Sequence, residues 1–216
     1  MKKHISIGCL NKFDVEVFYD SSSERYLSEV LEREEYRFLL TYLKKKEDLT
    51  VIDVGCNIGT FSLYVYDIAK VIYSMEPVKE VLYDLEKTAR QNNLIKIKTF
   101  IEAMGGYTGK GRLNIVEPVS SGASFLHNEG KKEVDVITAY DFLEREGIDK
   151  VDILKIDTEG EELNIIQEFN FPAHKIDLII GEYHTGKMNK DDFLAVLEDR
   201  GYKPKVIDSH HFIATL

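Results

Sequence analysis

The sequence predicts an α/β fold, in which a mostly parallel β-sheet carries helices on both of its faces. From residue 50 onward, short apolar runs alternate with longer segments whose apolar residues recur at helical spacing. The first such unit is VIDVGCNIGTFSLY, Val51 to Tyr64, which combines an apolar run, a glycine-rich turn and the opening of an amphipathic helix. Alternation of this kind is typical of a parallel sheet, because each strand needs a crossover to reach the next.

Composition and charge place the chain among ordinary globular proteins. Hydrophobic residues make up 44% and charged residues 31% of the 216, which argues against a disordered or fibrous protein. No apolar run approaches the roughly 20 residues of a membrane helix, and the N-terminus lacks the apolar core of a secretory signal. The two cysteines, Cys9 and Cys56, suit a reduced compartment, so we expect a cytoplasmic protein without a membrane partner. The net charge of −10 disfavours nucleic acid as a partner.

Residues 1–48 are predicted to form an extension to the main domain at 49–216. The β-like runs HISIGCL and FDVEVFY are separated by Asn11-Lys12, which indicates a hairpin with a two-residue turn. Ser21–Ser23 are candidate N-caps for a helix whose apolar residues continue to Leu43. The extension is therefore expected to be a hairpin followed by one helix.

The main domain is predicted to contain seven strands connected by helices. Pro77 suits the first position of the helix after the second strand, where a missing N–H costs little. Two later helices are marked by Leu163 with Ile166 and by Phe193 with Leu197. The strands are expected at 50–54, 71–76, 96–103, 151–156, 176–183, 203–207 and 211–215.

The segment 104–140 interrupts the alternation of strands and helices. Its glycines and serines surround two strand-like runs, RLNIV and EVDVIT, which predict a hairpin with a loop at about 117–130. An acceptor-binding lid and a plain surface hairpin are equally good interpretations of this excursion.

Polar residues follow five of the predicted strands. In open α/β sheets, ligands bind beyond the carboxyl ends of the strands, so these side chains are the candidates for a site. They are Asp53 with Asn57 and Gly59, Glu76, Glu102 with Ala103, Asp157, and Glu182 with His184.

Glu76 indicates the chemical class of the cofactor. It lies 21 positions after Gly55, where a carboxylate can accept both hydroxyls of a ribose. The glycine spacing is G-x-x-x-G and no P-loop lysine follows, so the turn has little provision for phosphates. Asp53 would repel a phosphate and attract an ammonium group, which points to S-adenosylmethionine. The alternative is that Glu76 only complements the dipole of the following helix.

A second cluster lies in LKIDTEGEELNII, Leu154 to Ile166. Lys155 stands in an apolar strand, and a buried lysine requires a charged partner, which one of the following acids or Glu182 would supply. A structural ion pair is one interpretation. The other is that Asp157 and Glu159 face a ligand as well, since they precede Gly160 at the end of the strand.

The motifs VIDVGCNIGTFSLY, YSMEP, LKIDTEGEE and GEYH resemble the FkbM family of S-adenosylmethionine-dependent methyltransferases. The resemblance runs from about residue 35 to 185, and TAYDFL, Thr138 to Leu143, is similar to the segment before that family's fourth strand. It implies a Rossmann-like class I methyltransferase fold with a seven-stranded sheet and an antiparallel last strand. It also implies O-methylation of hydroxyls on sugars, glycans or natural products.

The resemblance assigns roles to residues of this chain. Cys56 replaces the alanine usual in the family, a change between small residues. Glu76 would hold the ribose, and Asp157 would lie between cofactor and acceptor. The methionine side would be lined by Asp53, Gly55, Asn57 and Gly59, Cys56 would also contact the cofactor, and the adenine would be flanked by Glu102 and Ala103.

His184 is the favoured general base, because an imidazole titrates in the useful pH range. Asp157 would orient it or contact the acceptor hydroxyl directly, and a loop histidine without a role is the alternative. His127 is a weaker candidate. The spacing of the acids does not require Mg²⁺, so no metal is predicted. No role is assigned to His4, His174, His210 and His211, which are expected away from the cleft edge.

The leading hypothesis is therefore an S-adenosylmethionine-dependent O-methyltransferase for a small-molecule or saccharide hydroxyl. N-methylation of a nucleic acid or protein is disfavoured by the acidity of the chain and by DTEG standing after the fourth strand. The glycine spacing disfavours a nicotinamide dehydrogenase. A non-catalytic module that binds the cofactor is the remaining alternative.

Overall fold

The computed structural model describes residues 1–43, 46–115, 125–126, 130–169, 175–184 and 189–216. They form two compact units, whose described parts are residues 1–101 and residues 102–216. Each unit contains strands, helices and buried apolar residues. None of the helices in the described ranges is both long and apolar enough to cross a bilayer.

The first unit begins with an antiparallel hairpin of β1 (Lys2–Ile7) and β2 (Phe13–Phe18). The predicted two-residue turn at Asn11-Lys12 is wrong, because the strands are joined by the five residues 8–12. The carboxylate of Asp67 accepts three successive backbone N–H groups of this loop. The loop is longer than predicted because Asp67, which is distant in the sequence, stabilises it.

The predicted single helix after the hairpin is wrong in form. Asp20, not a serine, caps the first turn, since its carboxylate accepts the N–H groups of Ser22 and Ser23. Glu34 has a φ of 55°, in the left-handed region that interrupts a helix. The segment is therefore divided into a 3₁₀ turn (Ser21–Ser23), α1 (Glu24–Tyr26), a π-helix (Leu27–Glu32) and a 3₁₀ helix (Glu35–Thr41).

The rest of the first unit consists of three strands and two helices. The second helix begins at Lys79, so the prediction that Pro77 is its first residue is wrong. The first helix has five residues, all buried, and is therefore not amphipathic as expected. The elements are β3 (Leu49–Val54), α2 (Thr60–Tyr64), β4 (Ala69–Met75), α3 (Lys79–Gln91) and β5 (Ile97–Phe100), with β3–β4 and β4–β5 parallel.

The second unit begins with a small sheet that contains the predicted excursion. Its strands are β6 (Ala103–Met104), β7 (Gly109–Asn114), β8 (Phe125–Leu126) and β9 (Lys132–Ile137), in the order β6-β9-β7-β8. Strands β7 and β9 pair antiparallel, which confirms the hairpin. Most of the predicted loop at 117–130, with His127, lies outside the described residues, and the lid remains a prediction. Helix α4 (Ala139–Glu146) follows, capped by the side chain of Thr138.

The remaining elements of the second unit are β10 (Lys150–Val151), β11 (Ile153–Ile156), α5 (Glu162–Gln167), β12 (Lys175–Ile176), β13 (Leu178–Glu182), α6 (Lys190–Asp199), β14 (Lys203–Val206) and β15 (His211–Thr215). Strands β11 and β13 are parallel, whereas β15 is antiparallel to β13 and β14. The main sheet has seven strands in the order β14-β15-β13-β11-β3-β4-β5. The predicted seven-stranded sheet with an antiparallel last strand is confirmed.

Candidate active site

The glycine turn, defined as residues 53–59, joins β3 to α2 in the first unit. The backbone N–H groups of Gly55 and Cys56 both donate to the carbonyl oxygen of Met75, at 3.0 Å each, which ties the turn to the end of β4. Gly55 and Asn57 both have positive φ, at 70° and 51°. A glycine and an asparagine are the residue types that adopt this conformation most readily.

Gly59 is required by packing as well as by its backbone conformation. Its φ is 80°, and a Cβ at this position would lie 2.3 Å from a methyl carbon of Leu85 on α3. Cys56, predicted to contact the cofactor, is 2% exposed and packs against Leu82 and Leu85. Both residues therefore face the core of the unit and shape the turn from within.

Asp53 is fully buried and is held by a chain of hydroxyl groups. Its Oδ2 accepts a hydrogen bond of 2.6 Å from Ser62, and the Ser62 and Ser74 hydroxyls lie 2.8 Å apart. An ionised carboxylate only accepts, so the Ser62 hydroxyl donates to Asp53 and that of Ser74 donates to Ser62. Asp53 therefore presents no surface to a ligand.

Glu76 is half-buried directly after β4. Its Oε2 accepts from the backbone N–H of Asn57 at 3.2 Å, and its Oε1 accepts from that of Val78 at 2.9 Å. The second bond lies at the N-cap of α3, where the extended backbone of Val78 precedes the helix. A carboxylate that only accepts hydrogen bonds suits the hydroxyls of a ribose and repels a phosphate. Gly55 and Asn57 are also half-buried, so these three residues line the accessible part of the region.

Glu102 and Ala103, expected to flank adenine, lie at the start of the second unit. Arg145 of α4 binds both carboxylate oxygens of Glu102, with 2.9 Å between Nη1 and Oε2, and these hydrogen bonds raise the pKa of Arg145. Ala103 is buried at the beginning of β6. Arg145 was not predicted, because it lies 43 positions from Glu102 at an exposed helix position that carries no local sequence signal.

The acid–histidine cluster lies at the carboxyl ends of β11 and β13 in the second unit. Ile156 and Gly181 are register partners, and a Cβ on Gly181 would lie 1.7 Å from the carbonyl oxygen of Ile156. Only glycine permits this close approach of the two strands. The cluster consists of Lys155, Asp157, Glu159, Glu162, Glu182, His184 and His211.

Lys155 and Asp157 form the ion pair that the sequence predicted. Lys155 is 4% exposed, and its Nζ lies 3.5 Å from Oδ2 of Asp157. Burial raises the pKa of Asp157 to about 7, the charges of Glu182 and Glu162 add to the rise, and the charges of Lys155 and His184 oppose it. Asp157 is therefore a carboxylate that exchanges its proton near neutral pH.

His184 is surrounded by carboxylates. Its Nδ1 lies 3.0 Å from Oε1 of Glu162, and its Nε2 lies 3.4 Å from Glu159 and 4.0 Å from Asp157. Burial lowers the pKa of His184, but the hydrogen bond to Glu162 and the charges of the three acids outweigh it and raise the pKa to about 9. Because His184 is then a cation at neutral pH, the electrostatics favour Asp157 over His184 as proton acceptor.

His211 belongs to this cluster, and the expectation that it lies away from the cleft edge is wrong. Antiparallel pairing of β13 and β15 sets His211 opposite Glu182, with 3.4 Å between Nε2 and Oε1. Burial raises the pKa of Glu182, but the hydrogen bond and charge of His211, with Lys155 and His184, lower it overall. Asp208 contacts Nδ1 of His211 at 2.9 Å.

Three residues of the cluster could each offer one ligand atom to a cation. These atoms of Asp157, Glu182 and His184 lie within 4.8 Å of one another. However, Lys155 and the charged His184 already supply positive charge to Asp157. We therefore assign no metal to these residues.

The topology and the glycine turn define the class of the protein. A seven-stranded, mostly parallel sheet with an antiparallel last strand, and an acid directly after β4, are features of the Rossmann-like class I methyltransferase fold. A family model described as the methyltransferase FkbM domain matches residues 53–204. The chain belongs to the FkbM methyltransferase family, whose cofactor is S-adenosylmethionine.

Individual relatives are more distant. The chain is 25% identical over 165 residues to the hexuronic acid methyltransferase AglP of Haloferax volcanii. The aligned region covers 74% of this chain and 65% of AglP. The methyltransferase FkbM of Methylobacillus flagellatus KT matches 92% of this chain and 56% of its own, with 16% identity and a TM-score of 0.52. The precorrin-6y C5,15-methyltransferase of Geobacter metallireducens GS-15 matches 85% and 89%, with 12% identity and a TM-score of 0.50. The two structures support the fold alone.

Proposed function

We propose that this chain is an S-adenosylmethionine-dependent O-methyltransferase that acts on a hydroxyl group of a saccharide. The observation that carries the proposal is the acid–histidine cluster, because it contains a carboxylate able to take up a proton near neutral pH. Membership of the FkbM family supports the cofactor and the class of reaction.

The glycine turn and Glu76 are proposed to bind the cofactor. When bound, S-adenosylmethionine supplies a methyl group on a positively charged sulfur. Glu76 accepts the ribose hydroxyls, while the half-buried backbone at Gly55 and Asn57 approaches the methionine portion. Asp53, Cys56 and Gly59 act beneath this surface by fixing the turn. In the second unit, Glu102 and Ala103 are proposed to flank the adenine, and Arg145 fixes the carboxylate of Glu102.

Asp157 is proposed as the general base. Bound S-adenosylmethionine would supply the methyl group to the acceptor oxygen, and the carboxylate of Asp157 would take up the proton that the hydroxyl group loses. A base is most effective when its pKa lies near the operating pH, which Asp157 satisfies and the cationic His184 does not. Lys155 and His184 favour the ionised form that accepts the proton.

A saccharide is the proposed acceptor on two grounds. The relative AglP is named for methylation of a hexuronic acid. The cluster also offers several carboxylates to hydroxyl donors, and the partly exposed acids Asp157 and Glu159 can accept hydrogen bonds from more than one hydroxyl of a polyol. The net charge of −10 opposes a nucleic-acid acceptor.

Two measurements test the proposal. Calorimetric titration with S-adenosylmethionine and with NAD tests the cofactor, and binding of NAD alone would contradict the class. Transfer of labelled methyl is then measured on hexuronic acids, neutral monosaccharides, polyketide-type alcohols, RNA and protein. Transfer to a saccharide hydroxyl is expected, whereas transfer to RNA or protein alone would exclude the proposed acceptor.

A further inference from the structure

Glu162, the first residue of α5, takes no part in the proposed reaction and yet is the most deeply buried acid of the cluster. Its side chain is 0% exposed, compared with 29% for Glu159 and 27% for Asp157. A buried carboxylate must be compensated by hydrogen bonds or charges, so its surroundings indicate what it does.

The Oε1 atom of Glu162 organises the loop that follows β11. It accepts the backbone N–H groups of Thr158 and Gly160 at 3.0 and 3.1 Å, and the Thr158 hydroxyl at 3.2 Å. These bonds hold the loop on which Asp157 and Glu159 lie. The left-handed backbone of Glu159, at a φ of 58°, is part of the same loop.

The same oxygen atom fixes the ring of His184. The Nδ1–H group donates to it at 3.0 Å, so the opposite ring nitrogen, Nε2, faces Asp157 and Glu159. A carboxylate at one nitrogen of an imidazole sets both the ring orientation and the charge of the ring. One buried atom thus positions the loop and the histidine together.

We propose that Glu162 is a positioning residue, which holds His184 charged and oriented beside Asp157 so that Asp157 stays ionised until it accepts the hydroxyl proton. The part that concerns Asp157 as base rests on the proposed function. The contact between Glu162 and His184 stands independently of it.

Other charged groups also act on His184. Asp157 and Glu159 face Nε2 from the loop, and Glu182 interacts with the ring from β13. Lys155 on β11 and His211 on β15 bring positive charge to the cluster. Glu162 dominates because it makes the shortest contact and because, being buried, its charge is screened least by water.

The first test follows His184 directly by ¹⁵N NMR titration of the imidazole rings, with its signal assigned by its loss in His184→Asn. Glu162→Gln keeps the shape of the side chain and the acceptor oxygen but removes the charge. We expect the proton affinity of His184 to fall at least about tenfold, because a hydrogen bond to a charged partner is lost. Glu161→Gln removes a neighbouring charge and is expected to leave His184 unchanged. An unaltered titration in Glu162→Gln would overturn the proposal.

The second test measures methyl transfer against pH on the acceptor found in the screen. In His184→Asn the rising limb of the rate should move to higher pH, because the positive charge of His184 lowers the pKa of Asp157. A purely structural role would lower the rate equally at every pH and leave the limb in place. If the wild-type protein transfers no methyl, the proposed function fails, while the NMR titration still decides the role of Glu162.

A third measurement covers the case in which Glu162→Gln does not fold. The carboxyl ¹³C signal of Asp157, assigned with Asp157→Asn, is titrated in the wild type and in His184→Asn. We expect Asp157 to bind its proton more tightly without the cationic ring. An unchanged titration would contradict the role given to His184 and hence to Glu162.

Discussion

The glycine turn and the acid–histidine cluster each hold a buried and a half-buried acid, but the acids have different partners. In the turn, Asp53 accepts a serine hydroxyl and Glu76 accepts backbone N–H groups. In the cluster, Asp157 pairs with Lys155 and Glu162 pairs with His184. The charges of these neighbours shift the pKa of Asp157. The turn is therefore a surface of fixed shape, whereas the cluster can take up or release a proton near neutral pH. Under the proposed function, the first region binds the cofactor and the second takes up the acceptor's proton.

Asp157→Asn should produce the largest effect and tests whether the chemistry resides in the cluster. Loss of a general base lowers kcat by about 10²–10⁴-fold. The dissociation constant for S-adenosylmethionine, measured by calorimetry, should change much less, because the glycine turn remains intact.

Asp152→Asn is the matched control. Asp152 pairs with Lys150 at 2.7 Å near the other end of β11. Its replacement by asparagine is expected to leave kcat unchanged. If Asp157→Asn instead abolished cofactor binding and spared kcat, the division of roles between the two regions would be reversed.

Glu76→Ala tests the turn and should produce the next largest effect. Hydrogen bonds to a charged group contribute about 1.5–3 kcal/mol, so cofactor affinity should fall by about 10–150-fold. The variant also removes the acceptor for the N–H of Asn57, which loosens the turn.

Calorimetric titration measures this loss, and Glu80→Ala, an exposed acid in the first turn of α3, is the control. The proposed effect is on binding, so kcat at saturating cofactor should change little. An unchanged dissociation constant would show that Glu76 only supports the turn and the start of the helix.

The sequence predicted more of the glycine turn than of the cluster, and the reason is physical. Strand ends, the turn and Glu76 lie within a short stretch of chain, where apolar runs, glycines and spacing are readable together. The ion pair of Lys155 was predictable too, because a lysine in an apolar strand requires a neighbouring acid. The broken helix after residue 20 was not predictable, since Glu34 adopts a positive φ without being a glycine or asparagine.

The parts of the cluster that the sequence did not reveal depend on distant pairs. His184 meets Glu162, 22 positions away, and His211 meets Glu182 only because β15 pairs antiparallel with β13. The charge of His184 follows from these contacts, so an isolated histidine in GEYH suggested a neutral base. The spacing of residues in the sequence also does not indicate how deeply Asp157 is buried, and burial is what raises its pKa.

The pH dependence of kcat/KM distinguishes the two candidate bases in the cluster. A general base must be deprotonated, so the rate rises with pH through the pKa of that base. We expect the rising limb near pH 7, set by Asp157, with about a tenfold fall per pH unit below it. A limb near pH 9 would indicate His184 instead. Cofactor affinity measured over the same pH range serves as the control.

Gly59→Ala tests whether the turn is shaped from within. The added methyl meets Leu85 and the backbone has a φ of 80°, so we expect a loss of about 2 kcal/mol in the free energy of unfolding, measured with denaturant. Gly147→Ala is the control, because its φ is 64° but nothing lies within 4 Å, so strain alone costs about 1 kcal/mol. An equal loss of unfolding free energy in the two variants would show that the contact with Leu85 adds nothing to the cost.

Removal of divalent metal should have the smallest effect and tests the electrostatic account of the cluster. Lys155 and His184 supply positive charge to Asp157, so excess EDTA is expected to leave methyl transfer unchanged. Addition of Mg²⁺ after the chelator should also have no effect. If EDTA abolished the activity and Mg²⁺ restored it, Asp157, Glu182 and His184 would have to act as ligands. The cluster would then differ from the turn by a bound cation rather than by an exchangeable proton.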